Sequence, residues 1–277
     1  MNGLVKPIFF NPLRHVYKLL TEPNYLSYNK LFSQLSHHER YQECQAGINQ
    51  IKLLIPDAAS FLAAYDEIFC QQIYQFKANN NSPKILDLGA NVGLSVIYFK
   101  QLYPEAEIIA VEADPKIFTY LENNIGLHKY TKVELINKAV WHENCLLHFA
   151  SEGADAGQVN SNTHNQDTVE VEAIDIAELL SSQQFDLIKM DIEGAEEFVL
   201  PRCQGLLDSV QHFFIEYHSR VGHKQNLDRI LSFLSQEGFR FYMENPCEQP
   251  TPFLGLNSYA GFDFQLNIYA WRETELI

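Results

Sequence analysis

Ile85-Leu86-Asp87-Leu88-Gly89-Ala90-Asn91-Val92-Gly93 is the stretch whose reading decides the fold. The apolar run KILDL, from Lys84, ends in a glycine, and the segment VGLSVIYFKQLY behind it has helical character. Gly89 lets the chain turn and brings its backbone close to a ligand, and Gly93 allows tight packing of strand on helix. Downstream the same alternation repeats. AEIIAVEAD reads as a strand, Pro115 opens the helix KIFTYLENNIGLH, and VELINKAV reads as a third strand. Strand-like pieces CLLHFAS and TVEVEAI flank a polar loop from Glu152 to Asp167. FDLIKMDI, HFFIEYH, FRFYMEN and FDFQLNIYAW supply the later strands. Strands separated by helices predict parallel pairing, right-handed crossovers and helices on both faces of one sheet.

Upstream of Lys84 the pattern is helical and irregular. IPDAASFLAAYDEIFCQQIYQFK places Phe61, Leu62, Tyr65, Ile68, Phe69, Ile73 and Phe76 at helical spacings, with Asp57 as a capping residue. The run Asn79-Asn80-Asn81-Ser82-Pro83 ends it, which predicts a helical extension over 1–80 and a sheet domain over 81–277. The 277 residues suffice for one α/β domain with an extension. A formal net charge of −15, without a Lys/Arg run, argues against nucleic acid or an anionic membrane surface as partner. Five scattered cysteines without a Cys-x-x-Cys pair, no secretory signal pattern and no long apolar run lead to the expectation of a cytoplasmic protein.

The turn reads Asp-x-Gly-x-Asn-x-Gly and differs from the Gly-x-Gly-x-x-Gly of dinucleotide sites, Val96 standing where a third glycine belongs. An acidic head suits a ligand with a positive amino group and repels a pyrophosphate. Glu112, at the end of the next strand, can accept both ribose hydroxyls of a nucleoside. Together they suggest a phosphate-free nucleoside joined to an amino acid, and S-adenosylmethionine (SAM) fits that description. Asp87 to Gly93 with Glu112 resembles the first two motifs of class I SAM-dependent methyltransferases. Lys189-Met-Asp-Ile-Glu-Gly-Ala-Glu-Glu-Phe-Val-Leu200 is similar to the signature of the FkbM-like family.

That resemblance, which covers roughly residues 84 to 218, implies a Rossmann-like, seven-stranded, mostly parallel sheet with one antiparallel strand. It also implies O-methylation of a hydroxyl, on a sugar or another small metabolite. Asp87, Gly89, Asn91 and Gly93 would surround the methionine part of SAM, and Glu112 would hold the ribose with Ala113 and Asp114 beside it. Asn137, Lys138 and Ala139 would lie near the adenine, where Lys138 departs from the small or acidic residue often found in the family. The segment with Asp66-Glu67-Ile68-Phe69 and Tyr74 looks like one that precedes the fold in some members; Tyr65, Phe69, Tyr74 and Phe76 read first as core packing, the alternative being a cover over the SAM site with Glu67 or Tyr74 reaching the cofactor.

A hydroxyl is a weak acid, so methyl transfer to it calls for a base or a metal ion. Asp191 and Glu193 follow FDLIKM, and Glu216 and His218 follow HFFI. If extended, each i, i+2 pair points its side chains to one side at the carboxyl edge of the sheet. His218, with an ordinary pKa of about 6.5, is the expected general base, and Asp191 and Glu193 the orienting groups. The same carboxylates offer the oxygen ligands that Mg²⁺ prefers. Glu196 and Glu197 are expected to open the next helix, and His37, His38 and His142 to lie at the surface. The loop Gly153 to Asn165 reads equally as a lid over the acceptor or a surface connection. The competing functions are methylation of nitrogen on a small molecule or protein, a SAM-binding module without catalysis, and a nicotinamide-dependent oxidoreductase.

Overall fold

The structure, a computed structural model, describes residues 12–48, 51–150, 158–159, 168–246, 251–255, 258 and 261–273. It forms two compact units, Met1–Ile73 and Tyr74–Ile277. The first holds α1 (Pro12–Thr21), α2 (Pro23–Leu35), the antiparallel pair β1 (Cys44–Ile48) and β2 (Ile51–Ile55), and α3 (Ala58–Tyr65). Asp57 caps α3 by accepting from the Ser60 amide, as its position predicts. The helix then widens into a π turn over Asp66–Cys70 and stops, with Gln72 in the left-handed region at φ 59°. Ile73 and Phe76, expected on the same helix, therefore lie beyond its end. The hairpin β1–β2 was also hidden in the sequence, because its five-residue strands are too short for their alternation to stand out from a helical pattern.

The second unit is built on β3 (Lys84–Leu88), α4 (Leu94–Leu102), β4 (Glu107–Glu112), α5 (Pro115–His128) and β5 (Val133–Asn137). A small sheet follows: β6 (Ala139–Trp141), β7 (Leu146–Ala150), β8 (Gln158–Val159) and β9 (Thr168–Asp175). The chain returns through α6 (Ile176–Ser182), β10 (Leu187–Met190), α7 (Glu196–Val199), β11 (His212–Arg220), α8 (Leu227–Gln236), β12 (Arg240–Glu244) and β13 (Phe262–Trp271). The main sheet runs β12-β13-β11-β10-β3-β4-β5, with β13 antiparallel to both its neighbours and β3, β4, β5, β10 and β11 parallel. This is the seven-stranded, mostly parallel α/β sheet expected. VELINKAV, read as one strand, is two. The chain leaves the main sheet after Asn137, and β6 pairs with β9 in the small sheet. Most of the loop Gly153 to Asn165 lies outside the described residues.

One face of the main sheet is plain hydrophobic core. Leu86 and Leu88, Ile109 and Val111, Ile188 and Met190, Phe213, Ile215 and Tyr217, and Leu266, Ile268 and Ala270 share a single buried cluster. Alternation then sends Asp87, Lys189, Glu216, His218, Gln265 and Asn267 to the other face. No described helix is long and apolar enough to cross a membrane.

Candidate active site

The turn after β3 is held by backbone geometry. Gly89 and Ala90 both donate to the Val111 carbonyl, at 2.9 and 3.0 Å, which folds the turn against β4. Gly89 has φ 83°, and a Cβ there would stand 1.8 Å from the Asp191 carbonyl oxygen, so only glycine lets the turns after β3 and β10 touch. Gly93, at φ 95°, lies against Leu121 and Ile125 of α5, consistent with its expected packing role. Asn91 adopts φ 48°, its side chain accepts from Val92, and its amide donates to Glu112 Oε2 at 2.9 Å. Glu112 Oε1 accepts from the Asp114 amide, also at 2.9 Å. Burial raises the Glu112 pKa to about 7 against the help of these two amides.

The remaining predicted cofactor residues divide by task. Asp114 caps α5, accepting from Lys116 and Ile117. The Asn137 side chain donates to the carbonyls of Glu112 and Ala113, tying the ends of β5 and β4 together. Lys138 turns to Glu172, 3.0 Å away, and Ala139 is buried at the start of β6.

Lys189 joins the two halves of the site, a residue the sequence reading quoted within a motif but gave no task. It is only 2% exposed and donates to the Gly89 carbonyl at 2.6 Å, with Asp87 at 3.5 Å and Asp191 at 3.3 Å. Its ammonium also lies 5.9 Å from the Tyr74 ring centre. Burial opposes its charge, but Asp191, Asp87 and Glu216 outweigh burial and push its pKa up. Asp87 is fully buried and its pKa is raised by burial, Lys189 and Ser95 opposing. Its Oδ2 accepts from Ser95 Oγ at 2.5 Å, while Oδ1 has no hydrogen-bond partner.

The β10–β11 side is a ring of charge around a buried imidazole. His218 Nε2 stands 3.6 Å from Glu193 and 3.7 Å from Glu216, and Nδ1 is 3.7 Å from Glu196. Burial alone would keep this histidine neutral; Glu193, Glu196 and Glu216 outweigh it and raise its pKa well above the ordinary value. The Glu193 pKa is raised too, by burial and by the charges of Asp191 and Glu216, against the pull of His218. Glu216 and His218 share a face of β11 as expected. Asp191 and Glu193 converge for a different reason: β10 ends at Met190, and a turn with Glu193 at φ 57° and Gly194 at φ 89° swings both towards His218. Glu196 Oε1 closes that turn by accepting from Ile192 and Gly194, and α7 begins at Glu196 as predicted.

Asp191, Glu193 and His218 each offer one ligand atom within 4.8 Å of the others. One imidazole and two carboxylates suit a borderline ion such as Mn²⁺ or Zn²⁺ better than Mg²⁺, which prefers oxygen alone. SAM fits the other half. Asp87 Oδ1, ion-paired with Lys189 at 3.5 Å but not hydrogen-bonded, keeps acceptor capacity, the bare Gly89 backbone leaves room for close approach, and each Glu112 oxygen keeps acceptor capacity after binding one amide. Two residues on the same face escaped the sequence reading. Gln265 Nε2 lies 3.0 Å from His218 Nε2, and Asn267 is buried opposite Glu216. Their signal was the alternation of Gln265 and Asn267 with Leu266 and Ile268.

A seven-stranded sheet with one reversed strand, a glycine turn after its first parallel strand and a carboxylate after the next are the features of a class I methyltransferase. The comparisons agree. The methyltransferase FkbM domain matches residues 87–241. Methyltransferase 1 of Beauveria bassiana is 24% identical over 216 residues, 67% of this chain and 84% of that protein. The 2-O-methyltransferase NoeI of Sinorhizobium fredii is 24% identical over 155 residues, 49% of this chain and 63% of its own length. The crystal structure of methyltransferase FkbM from Methylobacillus flagellatus superposes with a TM-score of 0.48 at 14% identity, over 89% of this chain and 59% of that one. The chain belongs to the FkbM family of methyltransferases.

Proposed function

We propose that the chain transfers the methyl group of SAM to a hydroxyl of a sugar or another small metabolite. The observation that carries this reading is the convergence of Asp191, Glu193 and His218 beside the Gly89 turn. SAM, when bound, supplies an already activated methyl group on a sulfonium, so the protein contributes orientation, exclusion of water and a place for the proton. Asp87 and the Gly89–Gly93 turn receive the methionine end, Glu112 the ribose hydroxyls, and the ends of β4 and β5, from Ala113 to Ala139, the adenine side. Asp191 orients the acceptor hydroxyl. Its proton goes to the Glu193 carboxylate, 3.6 Å from His218 Nε2, because that nitrogen is itself engaged with the Gln265 amide at 3.0 Å. The base role expected of His218 thus passes to its partner, and the imidazole holds Glu193 in place. NoeI, named as a 2-O-methyltransferase, supports oxygen as the acceptor atom. The net charge of −15 supports a small partner without phosphates over nucleic acid.

The test is methyl transfer from labelled SAM to a panel of sugars and amines. Glu193→Gln should lower kcat by about 10²–10⁴-fold and leave SAM affinity within about twofold. Activity of the wild type should rise with pH through the Glu193 titration. Undiminished turnover in Glu193→Gln, or label on amines alone, would overturn the reading. A second reading, favoured by the 4.8 Å grouping of three ligand atoms, has a divalent ion at Asp191, Glu193 and His218 assist the hydroxyl. Loss of activity on chelation, restored by Mn²⁺ or Zn²⁺, selects it; indifference to chelator removes it.

A further inference from the structure

We propose that β13 supplies the acceptor subsite, Asn267 recognising an uncharged polyhydroxy compound through a hydroxyl next to the one methylated and Gln265 holding the charged ring in position beside it. This inference rests on the hydroxyl-methylation reading and deepens it with a substrate class and two residues. Asn267 is exposed by only 4%, and its amide oxygen has no hydrogen-bond partner. A buried, unpaired oxygen is an acceptor that a ligand donor can satisfy. In the antiparallel ladder Asn267 stands directly opposite Glu216, and Gln265 opposite His218. Residues directly opposite share a face. Both amides therefore flank the charged ring, while Leu266 and Ile268 between them belong to the core on the other side.

The chemistry of this face selects its ligand. Asn267 Oδ1 and the carboxylates of Glu193 and Glu216 accept, whereas Gln265 Nε2 is engaged within the protein, 3.4 Å from Glu216 Oε1 and 3.0 Å from His218 Nε2. A matching molecule brings several donors, and adjacent hydroxyls supply them. A phosphate or carboxylate on the acceptor would face like charge at Glu193 and Glu216. A phosphorylated sugar is thereby excluded and a neutral glycoside favoured.

The test uses the full chain with labelled SAM and three neutral probes, the methyl α-glycosides of glucose, mannose and fucose. Glucose 6-phosphate serves as the charged comparator and spermidine as an amine. Asn267→Leu, Asn267→Ser and Gln265→Leu are compared with wild type after their thermal unfolding has been checked. The expected result is label on oxygen of at least one neutral glycoside, with its KM raised tenfold or more in Asn267→Ser and Gln265→Leu. The KM for SAM stays within twofold, and the phosphosugar is not methylated. Three results would overturn the subsite: an unchanged glycoside KM in the folded variants, equal use of glucose 6-phosphate, or no neutral glycoside labelled although SAM binds. Label on spermidine nitrogen alone would instead bring down the hydroxyl reading on which the subsite rests.

Discussion

The two halves of the sheet's carboxyl edge, β3–β5 and β10–β13, are built on different physics. On the first, the site is shaped by backbone. Gly89 and Asn91 take left-handed conformations, main-chain amides grip Glu112, and Asp114 caps a helix. On the second, side-chain charge does the shaping, with Glu193, Glu196 and Glu216 ringed around His218. Backbone geometry is local and tolerates little change. A charge ring has neighbours distant in sequence and answers to pH. The two meet at Lys189, whose ammonium touches the Gly89 carbonyl on one side and Asp191 on the other.

The sharpest way to break this contrast is Gly89→Ala, since a Cβ would stand 1.8 Å from the Asp191 carbonyl oxygen. SAM affinity should fall at least 100-fold, a loss of roughly 3 kcal/mol, with a lowered Tm. Gly205→Ala is the control. It has φ 72° but nothing within 4 Å, so it should cost only about 1–2 kcal/mol of backbone strain and spare SAM binding. Calorimetric titration and thermal unfolding read both; equal effects at the two glycines would refute the close contact between the turns.

Lys189→Met comes next, because it strips a buried cation from Asp87 and Asp191. Removing one partner of a buried ion network costs about 3–5 kcal/mol, measurable by urea unfolding. Adding Asp87→Asn should recover part of that loss. If the double variant is no more stable than Lys189→Met alone, Lys189 does not serve to balance Asp87.

The smallest effect concerns pH at Glu112. Its folded pKa of about 7 exceeds the ordinary carboxylate value of 4.5, so the fold prefers the protonated form. The sign follows from proton linkage: this residue's contribution to stability is greatest below pH 4.5 and lost as pH rises through 7. The span corresponds to roughly 3 kcal/mol. The stability difference between wild type and Glu112→Gln, without SAM, should be flat above pH 7 and move in favour of wild type on acidification to pH 5. A difference independent of pH would show that Glu112 stays ionised in the fold.

The contrast between the halves also explains what could be read in advance. Asp87, Gly89, Asn91, Gly93 and Glu112 sit within one β-α-β unit, so their spacing alone carries their geometry. Asp191 and Glu193 were paired correctly for the wrong reason. Strand alternation predicted a shared side, whereas the chain reaches it through a turn at Glu193 and Gly194. Lys189 went without a role because a lysine inside an apolar strand gives no hint of which carboxylates surround it. Gln265 and Asn267 were passed over because their partners lie about 50 residues upstream, across an antiparallel pairing that no local pattern specifies.

By itself, the sequence determined the alternation of strands and helices, the glycine turn after the first parallel strand and the carboxylate after the next. These depend on torsion angles and periodicity, which are properties of short segments. Only the tertiary structure decided that β13 inserts antiparallel between β11 and β12, that β6 leaves the main sheet, and that three carboxylates, Glu193 from a turn, Glu196 from α7 and Glu216 from β11, meet at His218. The physical reason is range. A charge feels whatever folding brings within a few ångströms, so a group's protonation is set by contacts that do not exist until the sheet has closed around it.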